Sequence, residues 1–392
     1  MLSKEEKHLI SIQVLFFFFN SLASVFLQVF IFKIKGLYGV GLFNLTALSL
    51  LLIVYVSSGW FLRNHSSRTL IRVGLLLYSL GWLTLMLLKE GAANNIFLVG
   101  VIFGIAAGSF WSGFNLSQYV MTIKKSRTNY FSKVTGMRNL ATTVAPLLGG
   151  LIIFIFNKFF VSTNVGYYVL FAIVTVLSMY TLLLATALPR HSGINFSIGH
   201  ILYHKRNTKW KLILTGQFLW GIYDVVAPIL IGILLFTLLQ DEFALGIVST
   251  TMGGLSAIAG FALGRVVKKY FHVYLPGAIA VSMGMIVLAV FFNHIAVFFM
   301  MILVGLGNPL VNIPQDIVLF NSFDEVKERW RNKYHLLLER DIALGIARII
   351  IFSLILFFFV EKQDITQIRQ WLLIISVFPV MTGGILYLIN RQ

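Results

Sequence analysis

The sequence predicts an all-α polytopic membrane protein, with twelve transmembrane helices arranged as two parallel six-helix repeats. Three observations lead to this fold class. Of the 392 residues, 58% are hydrophobic and only 11% are charged, whereas a soluble domain carries about a quarter charged residues. Apolar runs of membrane-spanning length recur along the whole chain. Two short motifs also recur at similar offsets in its first and second halves.

The apolar runs are numerous enough for twelve membrane spans. A hydrocarbon core of about 30 Å requires about 20 apolar residues in a helix. The first run is too long for a signal-peptide core and has no clear cleavage site, so we interpret it as a span. The runs also lack the alternation expected of a membrane β-barrel. The predicted spans, numbered 1 to 12, cover residues 9–32, 40–62, 69–88, 96–122, 132–157, 164–188, 212–239, 243–264, 273–293, 295–320, 341–360 and 371–390.

Lysine and arginine are distributed unevenly between the loops, and this predicts the orientation. With the N-terminus in the cytosol, 23 of the 31 cations fall on the inner side and six on the outer side, and two lie within spans. The positive-inside rule therefore predicts a bacterial-type plasma (inner) membrane protein with both termini in the cytosol. The net charge of +17 is interpreted as loop charge against the anionic inner leaflet, and not as a nucleic-acid surface.

Several chemistries are excluded by what the chain lacks. It has no cysteine, no phosphate-binding loop, no HExxH motif and no GxSxG motif. We therefore expect no enzyme, no cofactor and no metal site, and we interpret the loop histidines as solvated. The expected partners are a small-molecule substrate, protons or another coupling ion, and the lipid bilayer. We expect the chain to work as a monomer.

Two repeated motifs predict a tandem duplication. A ten-residue segment that begins with a glycine and closes with a cation starts at Gly59 at the end of span 2 and recurs at Gly260 at the end of span 8, at an offset of 201 residues. The Asn-x-x-Gln motif of Asn115 in span 4 recurs at Asn312 in span 10, at an offset of 197. Because each repeat holds six helices, both have the same orientation in the membrane.

The duplication divides the chain into three parts. Residues 1–188 and 212–392 are the predicted six-helix bundles, and 189–211 form a basic cytosolic linker between them. The linker holds five cations and no acid. We expect it to act as a tether and not as a binding site.

Together these features resemble the major facilitator superfamily of secondary transporters. They are the twelve spans, the basic central loop, the paired glycine-to-cation motif and the segment from Ala145 to Gly150, APLLGG, in span 5. Arg63 and Gly264 stand where the family's loop motif has aspartate, so the motifs support the fold better than a drug-antiporter assignment. A further run, Glu339-Arg340-Asp341 followed by Gly345 and Arg348, resembles the YqgE-like bacterial branch of putative transporters. The resemblance implies transport by alternating access.

Asp224 is the predicted proton-coupling residue. It lies about twelve residues into span 7, which places it about 18 Å from the cytosolic end of the helix, close to the membrane midplane. Desolvation there favours the neutral acid, so the carboxyl group is suited to exchange protons. Gln217 and Trp220 share its helix face and are predicted to bind substrate with it. The alternative is an acid satisfied by a neighbouring helix, or a hydrogen bond at a closed gate.

Further substrate-binding candidates follow from the resemblance. In the family's fold spans 1, 4, 7 and 10 line the cavity, which adds Asn20, Gln28, Asn115 and Asn308. Arg138 in span 5 is a candidate from its own chemistry, because its guanidinium can bind an anionic group or pair with an acid across the cavity. The alternative is that Arg138 extends to the cytosolic interface.

Charged residues in spans 10 and 11 are predicted to form a gating charge network. Asp341 precedes Arg348 by seven residues, two helical turns on the same face. Asp316 of span 10 offers Arg348 a second partner from another helix. The predicted network, which breaks and re-forms during gating, comprises Asp316, Glu339, Arg340, Asp341 and Arg348.

The leading functional hypothesis is proton-coupled efflux of a small amphipathic molecule by an antiporter. The lack of a nucleotide-binding motif leaves an ion gradient or the gradient of the substrate itself as the energy source. One alternative is a lipid or glycolipid flippase of the same fold, in which Arg138 would receive the anionic head group. Another is a membrane sensor or accessory protein that does not transport.

Overall fold

The computed structural model describes residues 3–122, 124–160, 164–203, 206–269, 274–326, 333–358 and 364–390. Every regular element among these residues is a helix. In chain order the helices are α1 Lys4–Asn64, α2 Ser67–Leu88, α3 Gly91–Asn94, α4 Ile96–Met121, α5 Lys124–Phe159, α6 Val165–Ala185, α7 Ile198–Tyr203, α8 Thr208–Tyr223, α9 Val226–Leu239, α10 Glu242–Lys269, α11 Tyr274–Phe291, α12 His294–Glu325, α13 Tyr334–Phe358, α14 Ile365–Ile375 and α15 Val377–Asn390.

Eleven helical segments within the described residues are long and apolar enough to cross a membrane. The first of these is α1, whose 61 residues would measure about 90 Å if straight, three times the thickness of the hydrocarbon core. Gly36 interrupts it with φ 64° and ψ −163°, a conformation that glycine adopts without steric cost. Helix α1 therefore supplies both span 1 and span 2. The structure confirms the all-α fold with about twelve spans.

Span 7 is divided into α8 and α9 at Asp224. Pro228 has no amide hydrogen to donate to the carbonyl oxygen of Asp224, so the helical hydrogen-bond ladder is broken at that point. The amide of Asp224 still donates to Trp220 O at 2.9 Å, which makes Asp224 the last hydrogen-bonded residue of α8. The acid therefore lies at a joint between two helix segments, and not in a continuous helix as the sequence suggested.

Close helix packing holds the first half together. Gly104 of α4 lies against the span 2 part of α1, where a Cβ atom would come within 2.6 Å of the carbonyl oxygen of Ala47. The small side chains of α4 thus allow two backbones to approach closely, as is common in membrane helix pairs. Gly104 therefore acts as a packing residue between spans 2 and 4.

The two halves contact each other along two walls and at one end. We call the end that carries 189–203 the linker end and the opposite one the far end. Spans 2 and 11 form one wall, where Ser58 Oγ lies 3.1 Å from Tyr334 Oη. Spans 5 and 8 form the other, where the amide of Leu147 donates to Thr250 Oγ1 at 3.1 Å. Towards the far end, Gly232 of span 7 packs against span 1.

The linker between the halves is docked onto the protein. Its residue Phe196 is buried and packs edge-on against Trp60 with the ring centroids 5.0 Å apart. The amide of Gly193 donates to Leu62 O at 3.0 Å. At its other end, Arg206 donates to Glu339 of the second half at 2.8 Å. The segment therefore does more than tether the halves, because it packs against both of them.

Candidate functional site

Asp224 and Arg348 form an ion pair within the second half. The guanidinium of Arg348 on α13 donates from Nε to Asp224 Oδ1 at 3.1 Å, and its second nitrogen Nη2 donates to Oδ2. The two side chains are only 12% and 16% exposed. The bidentate geometry matches the planar guanidinium to both carboxylate oxygens. The joint after α8 thus presents Asp224 to span 11, where the sequence offered Asp341 and Asp316 as partners for Arg348.

The residues of the predicted gating network have different partners in the structure. Arg340 donates to both carboxylate oxygens of its neighbour Asp341, at 2.7 and 2.9 Å. Glu339 is buried on another face of α13, where it accepts hydrogen bonds from Arg206 and from Trp210 Nε1 at 2.7 Å. The sequence could not separate these residues, because adjacent helical positions point about 100° apart and their neighbours depend on packing.

Arg138 and Asp316 face each other from opposite halves of the molecule. The guanidinium carbon of Arg138 on α5 lies 5.3 Å from the ring centroid of Phe17 in span 1. Its charge interacts electrostatically with that of Asp316 on α12. The side chain of Asp316 is exposed. The positive charges of Arg138 and Arg340, on other helices, both interact with it. Arg138 therefore lies on the first-half side of the gap between the halves, and its role in binding substrate stays a prediction.

Aromatic rings line the first-half side of this gap. The rings of Phe17 and Trp111 are 5.9 Å apart and tilted, and both side chains are half-buried. Behind them, Phe16 stacks on Phe110 with the ring centroids 3.9 Å apart. The gap therefore combines opposite charges with an apolar, aromatic wall.

Three of the predicted amide residues in the first half are engaged by near neighbours. Gln28 exchanges two hydrogen bonds with Asn44 of span 2, at 2.9 and 3.4 Å. Asn115 donates to the hydroxyl of Tyr55 at 3.0 Å. Asn20 donates to the carbonyl oxygen of Phe16, one turn earlier, at 3.2 Å. The contacts of Gln28 and Asn115 join neighbouring spans of the first half, whereas that of Asn20 stays within one helix.

The predicted substrate-binding residues of the second half lie in different surroundings. Gln217 is buried beside Gln315 and Thr382 at a small, partly open cavity of about 10 Å³ between spans 7, 10 and 12. Asp224 does not line this cavity. Trp220 is half-buried against the main hydrophobic core, and Asn308 is also half-buried.

A cluster at the far end was missed by the sequence analysis. Glu242 of the second half accepts hydrogen bonds from Lys33 Nζ at 3.2 Å and from the Tyr167 hydroxyl at 3.0 Å, both in the first half. The ammonium of Lys33 also lies 5.3 Å from the ring centroid of Tyr167 and 5.7 Å from that of Phe236. Lys33 and Glu242 are 209 residues apart, so no local pattern could have paired them. We call Lys33, Tyr167 and Glu242 the far-end latch.

The arrangement of charged groups is suited to binding and to changes of charge pairing. Among the residues that the structure describes, no group of three or more histidine or acidic side chains is placed to hold a metal ion. The charged groups instead form pairs, some within one half and some between the halves. A residue in an ion pair can exchange its partner for a proton or for a charged ligand.

Comparisons with known proteins agree with this architecture. The sequence model described as Major Facilitator Superfamily matches residues 9–329. The uncharacterized protein YqgE of Bacillus subtilis (strain 168) is 22% identical over 354 residues, which cover 88% of this chain and 80% of that protein. The uncharacterized protein in the sodM 3' region of Geobacillus stearothermophilus is 22% identical over 135 residues, 34% of this chain and 63% of that protein.

Two solved structures have the same fold. The crystal structure of the nucleoside transporter NupG matches with a TM-score of 0.67 at 13% identity and covers 100% of both chains. A bacterial homologue of the human drug peptide transporters PepT1 and PepT2 matches with a TM-score of 0.70 at 12% identity, covering 99% of this chain and 98% of the other. At such low identity the likeness establishes the fold alone.

Proposed function

Because the chain belongs to the major facilitator superfamily, and is therefore a secondary transporter and not an enzyme, we propose that it exports a small amphipathic molecule in exchange for protons. Alternating access moves the substrate between the two halves. One copy supplies both halves, so the transporter works as a monomer. The substrate site lies in the gap lined by Arg138, Asp316, Phe17 and Trp111.

The pair formed by Asp224 and Arg348 carries the proposal of proton coupling. An ionised Asp224 accepts both hydrogen bonds of the guanidinium, whereas a protonated carboxyl loses its charge and most of its attraction for Arg348. A proton at Asp224 thus exchanges with Arg348, which becomes free to bind elsewhere. Because Pro228 breaks the helix at this residue, the change can alter the angle between α8 and α9.

Charge pairs between the halves support a mechanism for alternating access. The far-end latch joins the halves directly and must break for the far end to open. At the linker side of the gap, Arg138 and Asp316 attract each other across the halves without forming a hydrogen bond among the described residues. Their approach would close that side while the far end opens, so the two ends alternate.

The direction of transport depends on the orientation in the membrane. The excess of cations in the predicted inner loops supports a cytosolic position for the linker and both termini. The gap containing the exposed Asp316 then faces the cytosol, from which an exported substrate would enter. This is the basis for proposing efflux from a bacterial-type cell.

The flippase alternative has less support from the charges. A head group with a single negative charge would bind Arg138 but would leave the carboxylate of Asp316 without a partner. No contact among the described residues specifically favours a sensor without transport. Export of a small molecule therefore remains the better-supported proposal.

Inside-out membrane vesicles provide the test. Amphipathic compounds that raise the melting temperature of the purified protein would be radiolabelled and added to vesicles whose lumen is acidified. We expect accumulation in the lumen with the wild-type protein, and its loss on collapse of the proton gradient and in Asp224→Asn. Asp364→Asn is the matched control, because Asp364 caps α14 and asparagine is also a good N-cap residue. Normal proton-driven accumulation in Asp224→Asn would overturn the coupling role.

A further inference from the structure

Arg138 and Asp316 differ from the other charge pairs in the core of the molecule. Lys33 and Glu242 are bonded directly at 3.2 Å. Arg348 holds Asp224 with two hydrogen bonds, as described above. Arg138 and Asp316, in contrast, interact only through their electrostatic field, and neither has a hydrogen-bond partner among the described residues.

These two charges are therefore available to a ligand. A charge within a membrane protein costs several kcal/mol unless it is paired or hydrated, so a partner that binds both charges gains from each. Arg340, the other cation near Asp316, is already engaged by both oxygens of Asp341. The gap thus offers one free guanidinium on the first half and one exposed carboxylate on the second.

The chemistry of the two groups defines complementary ligand groups. A guanidinium presents a planar fork of donors that fits a carboxylate or a phosphate. A carboxylate accepts hydrogen bonds from an ammonium group. Phe17 lies beneath Arg138 and Trp111 lies beside Phe17, so the first-half wall between the charges is aromatic and apolar.

We infer that the substrate is a zwitterion with an apolar body, whose anionic group binds Arg138 and whose cationic group binds Asp316. The inference rests on the proposed function and assigns a substrate class to its site. A ligand bound in this way bridges spans 5 and 10, which belong to different halves, and so favours closure of the gap around it. A molecule with a single charge leaves one of the two residues without a partner and binds more weakly.

Matched sets of compounds test this inference on the purified, full-length protein. Each set contains a zwitterion, its methyl ester and its N-acetyl derivative, built on phenylalanine, on tryptophan and on phenylalanine-containing dipeptides. The readout is the melting temperature as a function of ligand concentration. We expect at least one zwitterion to bind about tenfold or more tightly than both of its singly charged derivatives.

Charge variants then assign the two ends of the ligand. Arg138→Gln should lose the preference for the zwitterion over the cationic ester. Asp316→Asn should lose the preference over the N-acetyl anion. Lys158→Gln is the control, because it removes a cation at the far end of α5, and it should keep both preferences. Asp224→Asn measures whether the selectivity depends on the coupling residue.

Three results would overturn the inference. They are the absence of a shift with every zwitterion, equal or stronger binding of the singly charged derivatives, and unchanged selectivity in both charge variants. The last would mean that Arg138 and Asp316 serve only to pair with each other. If singly charged compounds are exported with protons through Asp224, the proposed function stands and this inference fails. If zwitterions bind but are not moved, the proposed function fails and the inference stands.

Discussion

At the residue scale, Asp224 links the sequence and the structure most directly. Its position in an apolar run singled it out as an acid near the membrane midplane. The identity of its partner did not follow, because Arg348 is 124 residues away and several acids lay at suitable spacing in the sequence. Only the packing of span 7 against span 11 selects one pair from these combinations.

The pairing predicts an asymmetric response to substitution. Arg348→Gln leaves the ionised Asp224 without its partner, and we expect the free energy of unfolding to fall by about 2–3 kcal/mol at neutral pH. The double variant with Asp224→Asn should recover most of this loss, because no buried charge then remains. Arg348→Lys should recover less of this loss than the double variant does, since an ammonium cannot donate in the same bidentate geometry.

Denaturant or thermal unfolding of the four proteins in detergent measures these differences. Arg369→Gln is the control, because Arg369 donates to backbone carbonyl oxygens near the far end and not to an acid. Equal losses of stability in Arg348→Gln and in the double variant would contradict the prediction, because an unpaired Asp224 would then have no destabilising effect.

Glu339 shows a second limit of prediction from the sequence. The sequence grouped it with Arg340 and Asp341 because the three are consecutive and charged. Consecutive helical residues point in different directions, and Glu339 faces the linker, where Arg206 and Trp210 bind it. It therefore connects the linker to the second half, while the charges of both neighbours act on Tyr55 of span 2. Whether the five residues act together in gating stays a prediction.

At the scale of elements, the break in span 7 is the main difference from a simple helix. The apolar run from residue 212 to 239 predicts one membrane span, and its length is correct. Pro228 was visible in the sequence, but its effect is to free the carbonyl oxygen of Asp224 and to end α8 there. Neighbouring helices allow such breaks inside membranes when they surround the freed backbone groups.

Restoring the helix should therefore separate stability from transport. Pro228→Ala returns an amide that can donate to the carbonyl oxygen of Asp224, and we expect a stabilisation of about 1 kcal/mol or more. The restored hydrogen bond would hold α8 and α9 at a fixed angle when Asp224 is protonated, and so reduce proton-driven export. Melting temperature and vesicle transport, measured on the same preparations, check the two effects.

Pro379 of α15 provides the control, because it lies near the comparable break between α14 and α15 but far from the charged gap. Pro379→Ala should leave proton coupling unchanged. A Pro228→Ala protein that transports normally would show that the joint has no role in coupling.

The structure gives the linker a packing role that its sequence did not predict. Its charge and position predicted a tether whose cations orient the two repeats. Its apolar residues were the informative ones for packing, since Ile194, Phe196 and Ile201 are buried in a hydrophobic cluster with residues of both halves. The sequence contained these residues, but an isolated apolar side chain in a polar loop does not reveal what it packs against.

At the scale of the whole molecule, the two ends differ in how the halves meet. The far-end latch joins Lys33 and Tyr167 of the first half to Glu242 of the second. On the linker side of the gap, Arg138 and Asp316 remain apart. Such a difference is what a transporter in one of its two alternating conformations would have, so the latch should set part of the balance between them.

Weakening the latch should open the far end. Glu242→Gln removes the negative charge, and because the pair is partly exposed we assign it about 1 kcal/mol, which corresponds to a roughly fivefold change in the population ratio. The chain has no cysteine, so spin labels can be attached specifically. Leu88→Cys and Phe291→Cys place them on exposed far-end positions of opposite halves.

Distance distributions from pulsed electron paramagnetic resonance should then contain a larger long-distance population in Glu242→Gln. Glu90→Gln is the matched control, because Glu90 lies at the same end and accepts a hydrogen bond from Asn164 within the first half. Equal distributions in the two variants would contradict a role of the latch in closing the far end.

The sequence alone determined the membrane class and an all-helical fold of about twelve spans, while the relation of the two repeats stays a prediction. These depend on hydrophobicity and length, which the chain carries locally, because every apolar segment must match the thickness of the bilayer. It also identified most of the charged residues that matter, since charges are rare in such segments. The tertiary structure decided which charges interact: Asp224 is bonded to Arg348 and Glu242 to Lys33, while Arg138 and Asp316 interact electrostatically. These pairs join residues far apart in the chain, and electrostatic pairing depends on distances that only the packing of the helices sets.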